Sequence, residues 1–248
     1  MSVKIVQFPC LQDNYGFLVR DEQSGAVAAI DAPDPHVILA QLTALGWTLS
    51  CVLTTHWHAD HAGGNALLRD ATGARIFGPR EIARHSPLDV PVDDADEIML
   101  GATRIQVLNT GGHTLEHVSY YLPSEDVVFV GDTLFALGCG RVFEGTFPQM
   151  WESLCRLMAL PDRTDVYCAH EYTQANARFA SRWAGAPHIE RRFAEVAELR
   201  RRGVPTVPTQ IGIEKATNPF LRVAELFPDM APAAAFEKLR TAKDHFTG

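Results

Sequence analysis

An α/β body followed by a smaller helical tail is what this sequence predicts, and three observations predict it. Up to residue 171, short apolar segments with strand patterning alternate with amphipathic helical stretches, the rhythm of an α/β fold. After Glu171 the character changes to charged helical segments interrupted by prolines. And His56, His58, Asp60 and His61 crowd four ligand-type residues into six positions, directly after the apolar run Cys51-Val52-Leu53. Such a cluster at a strand end is a poor way to build a core and a good way to hold metal ions side by side.

The elements follow in order. Residues 4–8, 15–19 and 26–31 have β patterning, the second and third segments being separated by the turn residues Asp21-Glu22-Gln23-Ser24-Gly25. Residues 34–45 read as an amphipathic helix with Val37, Ile38, Leu42 and Leu45 on one face and Gly46 as its stop. A strand over 49–55 runs into the histidine cluster, and a helix over 62–71 closes at Gly73. Strands are expected at 75–77, 103–108, 118–122 and 127–130, a helix at 147–160 and a last buried strand at 165–169. Beyond that, helices are expected over 172–183, 188–202 and 233–245, with Pro205, Pro208, Pro219, Pro228 and Pro232 between the last two. The composition shift places a domain boundary near residue 172, giving a catalytic body over 1–171 and a helical piece over 172–248.

The chain of 248 residues with 46% hydrophobic residues is ample for one large domain or a domain with an appendage. A net charge of −8 argues against nucleic acid as a partner, because nothing offsets repulsion from phosphate. No apolar run approaches the ~18 residues of a membrane span, and the first residues lack the apolar core of a signal peptide. Five cysteines without a C-x-x-C pair fit reduced thiols. The expectation is therefore a cytoplasmic protein that binds neither nucleic acid nor membrane, and a monomer, since no long apolar stripe is left over.

Further candidate ligands lie at other strand ends. His113 sits in Thr110-Gly111-Gly112-His113-Thr114, Asp132 follows Val130-Gly131, and His170 follows Tyr167-Cys168-Ala169. The flanking glycines allow sharp turns and close backbone approach. Two ions with open positions need about six or seven donors drawn from several segments, and these seven residues supply them. His36, His85, His117, His188 and His245 lack such a context and read as surface or structural residues.

The stretch Thr55-His56-Trp57-His58-Ala59-Asp60-His61 resembles the metallo-β-lactamase superfamily signature, and the order H-x-H-x-D-H … H … D … H is similar to that of its dinuclear members. The resemblance implies an αββα sandwich with metals at one edge. It further implies that His56, His58 and His113 bind one metal, that Asp60, His61 and His170 bind the other, and that Asp132 bridges both. Four more segments resemble one family within it, glyoxalase II or hydroxyacylglutathione hydrolase: Cys10-Leu11-Gln12-Asp13-Asn14-Tyr15; residues 131–146 with Gly138-Cys139-Gly140-Arg141; Ala169-His170-Glu171-Tyr172-Thr173; and the tail motifs Asn218-Pro219-Phe220-Leu221-Arg222 and Arg240-Thr241-Ala242-Lys243-Asp244. By that resemblance Arg141, Phe143 and Tyr172 line a glutathione cleft and Arg240 and Lys243 reach in from the last helix. Arg240 and Lys243 are spaced i, i+3, which is also the pattern of a solvated charged face. Some members of the family have tyrosine where this chain has Phe143 and lysine where it has Arg141, so a hydroxyl contact is absent and the cation has a different geometry.

The implied reaction is hydrolysis of S-D-lactoylglutathione to D-lactate and glutathione, the second step of methylglyoxal detoxification. Two divalent cations would lower the pKa of a bridging water to give hydroxide near neutral pH, and Asp60 would orient it toward the thioester carbonyl. The leaving thiol has an ordinary pKa of about 8.5, so no strong general acid is required. Histidine and aspartate donors suit zinc first, and iron or manganese as well. The alternative within the superfamily is a persulfide dioxygenase with a single iron, which shares the H-x-H-x-D-H stretch but lacks the helical tail.

Overall fold

The computed structural model describes residues 3–183 and 187–247. They divide into two compact units, Met1–Asn109 with Glu116–Gly131, and Thr110–Leu115 with Asp132–Gly248.

The first unit carries a mixed sheet in chain order: β1 (Val3–Cys10), β2 (Asn14–Asp21), β3 (Val27–Ile30), β4 (Cys51–Leu53), β5 (Arg75–Gly78) and β6 (Val90–Pro91). β1 to β3 are joined antiparallel, and from β3 onward the strands are parallel. Parallel neighbours need a crossover, supplied by α1 (Pro35–Leu45) and, after the short α2 (Ala59–Ala62), by α3 (Asn65–Thr72). Asp34 caps α1 by accepting from the His36 and Val37 N–H groups, and Gly46 ends it in the left-handed region at φ 66°. One face of the sheet buries Leu18, Val27, Ala29, Val52 and Ile76 against Ile38 and Leu42 of α1 and Leu68 of α3. The central strands β3 and β4 are buried throughout, which is why they read as unbroken apolar runs.

The other face meets four antiparallel strands, β7 (Glu97–Leu100), β8 (Thr103–Asn109), β9 (Val118–Leu122) and β10 (Val127–Gly131). The Phe17 and Phe129 rings lie 5.5 Å apart between the sheets. Two polar ties join them: Thr103 Oγ1 donates to Asp21 Oδ2 at 2.6 Å, and the buried Tyr120 hydroxyl donates to the Thr54 carbonyl at 2.8 Å. This second tie fixes the backbone where β4 turns into the histidine-rich loop.

The second unit contains the hairpin β11 (Leu134–Phe135) and β12 (Gly138–Cys139), then α4 (Phe147–Met158), β13 (Asp165–Cys168), α5 (Thr173–Ala180), α6 (Pro187–Arg201), β14 (Thr209–Gln210), α7 (Ile211–Thr217), α8 (Val223–Leu226) and α9 (Pro232–Asp244). Phe236 of α9 packs its ring against Phe147 and Trp151 of α4 and against Phe220, which in turn stacks on Phe179 of α5. The fully buried Glu214 accepts from Leu137 N at 2.8 Å, Thr209 Oγ1 at 2.6 Å and Asn218 Nδ2 at 3.0 Å. Burial pushes its carboxyl pKa up, against these donors and Arg192. Asn218 also donates to the Phe135 and Gly138 carbonyls, so α7 holds the β11–β12 hairpin in shape.

Several boundaries differ from the sequence expectation. The helix expected over 62–71 is split into α2 and α3 at Gly63-Gly64, a pair with low helix propensity where Gly64 N instead donates to the Ala32 carbonyl. The helix expected over 172–183 is α5 followed by the 3-10 turn Ser181–Trp183. β6, β7, β11, β12, β14, α7 and α8 were not expected; all are seven residues or shorter, too brief for a periodic signal. Replacing Tyr120 with Phe should lower unfolding stability by about 1–2 kcal/mol, because the buried Thr54 carbonyl loses its donor; a urea titration followed by far-UV circular dichroism measures this.

Candidate active site

In the first unit the residues after β4 form the histidine-rich loop, and its side chains are fixed by a hydrogen-bond relay. Asp31, at the end of β3 with φ 58°, accepts from Thr55 N at 2.7 Å and Thr55 Oγ1 at 3.0 Å. Its Oδ2 also lies 2.8 Å from His61 Nδ1. Because the Thr55 hydroxyl donates to Asp31, it accepts from His56 Nδ1, 3.1 Å away. Both buried imidazoles therefore carry their proton on Nδ1 and present the Nε2 lone pair. His56 Nε2 converges on His58 Nδ1 at 3.0 Å, and His61 Nε2 on Asp60 Oδ2 at 3.5 Å. Two Nε2 lone pairs, with His58 Nδ1 and an Asp60 carboxylate oxygen beside them, make a donor set that fits a divalent ion.

His117 is buried and stacks on His56 with centroids 4.9 Å apart, so it walls the ligand rather than adding to the set. His85 stacks on Trp57 at 4.2 Å. His36, His188 and His245 are exposed.

The second unit holds the other predicted ligands, His113, Asp132 and His170, all buried. Asp132 Oδ2 lies 3.4 Å from His113 Nε2, and its Oδ1 lies 3.4 Å from His170 Nε2. Each carboxylate oxygen thus faces a different imidazole, the disposition expected of a bridging ligand. His113 Nδ1 donates to the Arg141 carbonyl at 2.8 Å, which again leaves Nε2 as the donor atom. Glycine is needed beside these residues. At Gly112 the φ is 137° and a Cβ would come within 2.7 Å of the Met150 backbone; at Gly140 a Cβ would overlap the Asp132 carbonyl oxygen.

Next to this set the same unit opens a cleft of about 360 Å³. Arg141, Phe143, Tyr172, Arg240 and Lys243 all line it, together with His113 and Asp132. Tyr172 stacks on His170 with centroids 4.6 Å apart and ring planes within 5°, and Phe143 meets His113 edge-on at 5.3 Å. Arg240 is only 3% exposed, so it is no solvated face residue. Its Nη1 donates to the Cys139 carbonyl at 2.8 Å and its Nη2 to Asp244 Oδ1 at 3.0 Å. Lys243 Nζ donates to the Ala175 carbonyl at 3.2 Å. Burial, followed by the neighbouring Arg240 and Arg178, lowers the Lys243 pKa to about 8. Arg141 is mostly exposed, with Nε 3.6 Å from Asp244 Oδ1. A concentrated set of cations on an acidic protein points to an anionic ligand.

Sequence reasoning missed Asp31 and Asp244. Asp31 occupies an unremarked strand end, and Asp244 closes the tail motif with no role assigned to it there. Replacing Asp31 with Ala should weaken divalent-metal binding by about 10–100-fold, because both imidazoles lose the acceptor that sets their tautomer; competition with a chromogenic chelator provides the readout.

Residues 22–170 match the model of the metallo-beta-lactamase superfamily, and residues 171–246 match that of the hydroxyacylglutathione hydrolase C-terminus. A hydroxyacylglutathione hydrolase from Erythrobacter litoralis is 49% identical, covering 98% of this chain and all of the relative. Among solved structures, ETHE1 from Myxococcus xanthus superposes with a TM-score of 0.68 at 29% identity, covering 98% of this chain and 97% of that one. The protein TTHA1623 in a di-iron-bound form gives 0.64 at 26% identity, covering 88% and 100%. No helix among the described residues is long and apolar enough to cross a membrane. With a mixed-sheet body and a helical tail each matched along its length, the chain belongs to the hydroxyacylglutathione hydrolase family of the metallo-β-lactamase superfamily.

Proposed function

We propose that this chain hydrolyses S-D-lactoylglutathione to D-lactate and glutathione at a dinuclear metal centre. The observation that supports the reading is a cleft lined by Arg141, Tyr172, Arg240 and Lys243 together with His113 and Asp132, two of the candidate metal ligands. Glutathione carries two carboxylates and needs cations; the family match along the tail supports the same substrate. His56, His58 and His113 would hold one ion and Asp60, His61 and His170 the other, with Asp132 shared. Bound there, two divalent ions supply the charge that activates water and stabilises a developing oxyanion. Zinc is the ion proposed, with iron or manganese also suited to this donor set.

The chain's own groups do the rest. Asp60 accepts a hydrogen bond from the attacking water and turns it toward the thioester carbonyl. Arg240 and Lys243 anchor glutathione by its carboxylate, and Arg141 adds a cation at the open side of the cleft. Tyr172 covers His170 and gives the peptide a flat surface. The C–S bond breaks with the sulfur leaving as thiolate; the hydroxyl of the attacking water ends in the carboxyl of D-lactate, and the water's other proton goes to the glutathione sulfur. In this assignment residues 1–171 supply the chemistry and residues 172–248 supply Tyr172, Arg240 and Lys243. The five free cysteines, four of them buried, suit a reducing cytoplasm, and a monomer is sufficient for the site.

Metal-loaded protein should release one thiol per S-D-lactoylglutathione consumed and lose that activity on chelation; an intact substrate sinks the assignment. Asp60→Ala should reduce kcat by at least about 100-fold, in the range of general-base catalysis, in a steady-state thiol-release assay. The Lys243 pKa of about 8 sets a pH dependence. The ammonium binds carboxylate below that value and is lost above it, so KM should rise as pH passes through about 8. Lys243→Arg should flatten the rise, which a KM profile from pH 6.5 to 9.5 would reveal.

A further inference from the structure

Asp60 is a candidate ligand whose side chain is partly open to solvent. Its side chain is 38% exposed, whereas those of Asp132 and His61 are 10% and 1% exposed. An exposed aspartate samples several rotamers, and only some aim an oxygen at the metal and the nucleophile. A carboxylate in that position needs a guide. The first unit provides one in Asn14, the first residue of β2 and itself only 6% exposed. Its Nδ2 donates to Asp60 Oδ2 at 3.0 Å and lies 3.4 Å from the Asp60 main-chain oxygen. One amide nitrogen therefore grips both the carboxylate and the backbone of the same residue, across 46 positions of sequence.

The segment that presents Asn14 is built to hold it still. Cys10 pairs with Asn14 at the end of the β1–β2 ladder, and only Leu11, Gln12 and Asp13 close the turn. Leu11 takes a left-handed φ of 49° and leaves its side chain 57% exposed. That conformation costs a non-glycine residue free energy, and burial does not offset it here. Behind the turn, Phe8 pairs with Gly16, and a Cβ on Gly16 would come 2.4 Å from the Phe8 ring. The ring thus lies flat on the strand two residues past Asn14 and fixes its height. A strained tip, a tightly packed base and a buried amide aimed at one carboxylate are the marks of a preorganised support.

We propose that Asn14 is a positioning residue: its amide holds Asp60 Oδ2, the oxygen that also faces His61 Nε2, and so fixes the rotamer in which this carboxylate can serve a metal and the attacking water. The Asp60 contact calls for a short, uncharged donor, which asparagine supplies. The proposal rests on the catalytic role given to Asp60 above. It adds that the Cys10–Tyr15 motif serves the reaction through a hydrogen bond rather than by touching substrate.

The test uses full-length Asn14→Ala and Asn14→Asp. The first removes the donor, and the second keeps its shape while replacing it with an acceptor. Both should bind one metal equivalent like the parent protein and the second about 10-fold more weakly, the scale seen when a ligand's hydrogen-bond partner is removed. With metal saturating, kcat should fall about 10–100-fold while KM for S-D-lactoylglutathione and the urea midpoint stay unchanged. Variants that bind both equivalents as tightly as the parent and keep its kcat overturn the proposal. So does a loss of kcat that is matched by loss of stability or by a rise in KM, since that pattern marks a structural or substrate-binding role. If the parent protein leaves the thioester intact, the functional reading fails, while the metal-binding comparison still decides the role of Asn14.

Discussion

A single buried carboxylate, Asp31, organises the first half of the candidate centre. It takes the Thr55 N–H, the Thr55 hydroxyl and His61 Nδ1, and through that hydroxyl it reaches His56. The arrangement solves two problems together. The backbone N–H at the end of a strand has lost its ladder partner and must find another acceptor. The imidazoles must present a defined nitrogen, which depends on what the opposite nitrogen meets. The left-handed backbone of Asp31 bends the chain so that its side chain can do both, a cost in conformation retained at a functional position.

The second unit reaches the same end by other means. His113 is oriented by a neutral backbone carbonyl, that of Arg141, and Asp132 emerges from β10 after Gly131 in the left-handed region. The Arg141 carbonyl belongs to the segment whose side chain lines the cleft, so the orientation of His113 and the cleft wall share one stretch of backbone. That stretch follows a hairpin of only two residues per strand, too short to be stable alone. Glu214 and Asn218 supply the missing order through four bonds to its backbone and to each other. Removing their support would move the hairpin that carries Cys139, and with it the carbonyl that Arg240 uses as its seat.

The candidate ligands stand out in the sequence because metal chemistry restricts residue type and spacing together, and four such residues in six positions, His56, His58, Asp60 and His61, are an unusual pattern for a core. The long elements were legible too, since α1 and α4 carry both periodicity and end signals in Asp34, Gly46 and Thr146. What the sequence hid are residues that act at a distance. Asp31 lies 30 positions from His61 and Asn14 46 from Asp60, and an isolated aspartate or asparagine at a strand end has many ordinary uses. Arg240 and Lys243 show the opposite case. Their spacing suits a solvated face, and only packing of α9 on α4 and α5 buries the guanidinium and lowers the ammonium pKa.

Charge in the cleft is balanced rather than simply accumulated. Asp244 serves both Arg240 and Arg141, from 3.0 and 3.6 Å. Without it, Arg240, Lys243, Arg178 and Arg141 would face one another with little relief, in a partly buried space where repulsion is strong. Asp244 makes the cation cluster tolerable before substrate arrives. Lys243, by contrast, has no carboxylate partner among the described residues: it donates to the Ala175 carbonyl and lies over the Phe179 and Phe246 rings. On the proposed function, an arriving carboxylate would meet in Lys243 a charge that burial and its neighbours oppose, while Arg240, held by two partners, would fix the geometry. The division of labour between the two follows from their chemistry: the guanidinium is held rigidly by two partners and serves as a template, and the ammonium is the responsive partner whose protonation favours binding.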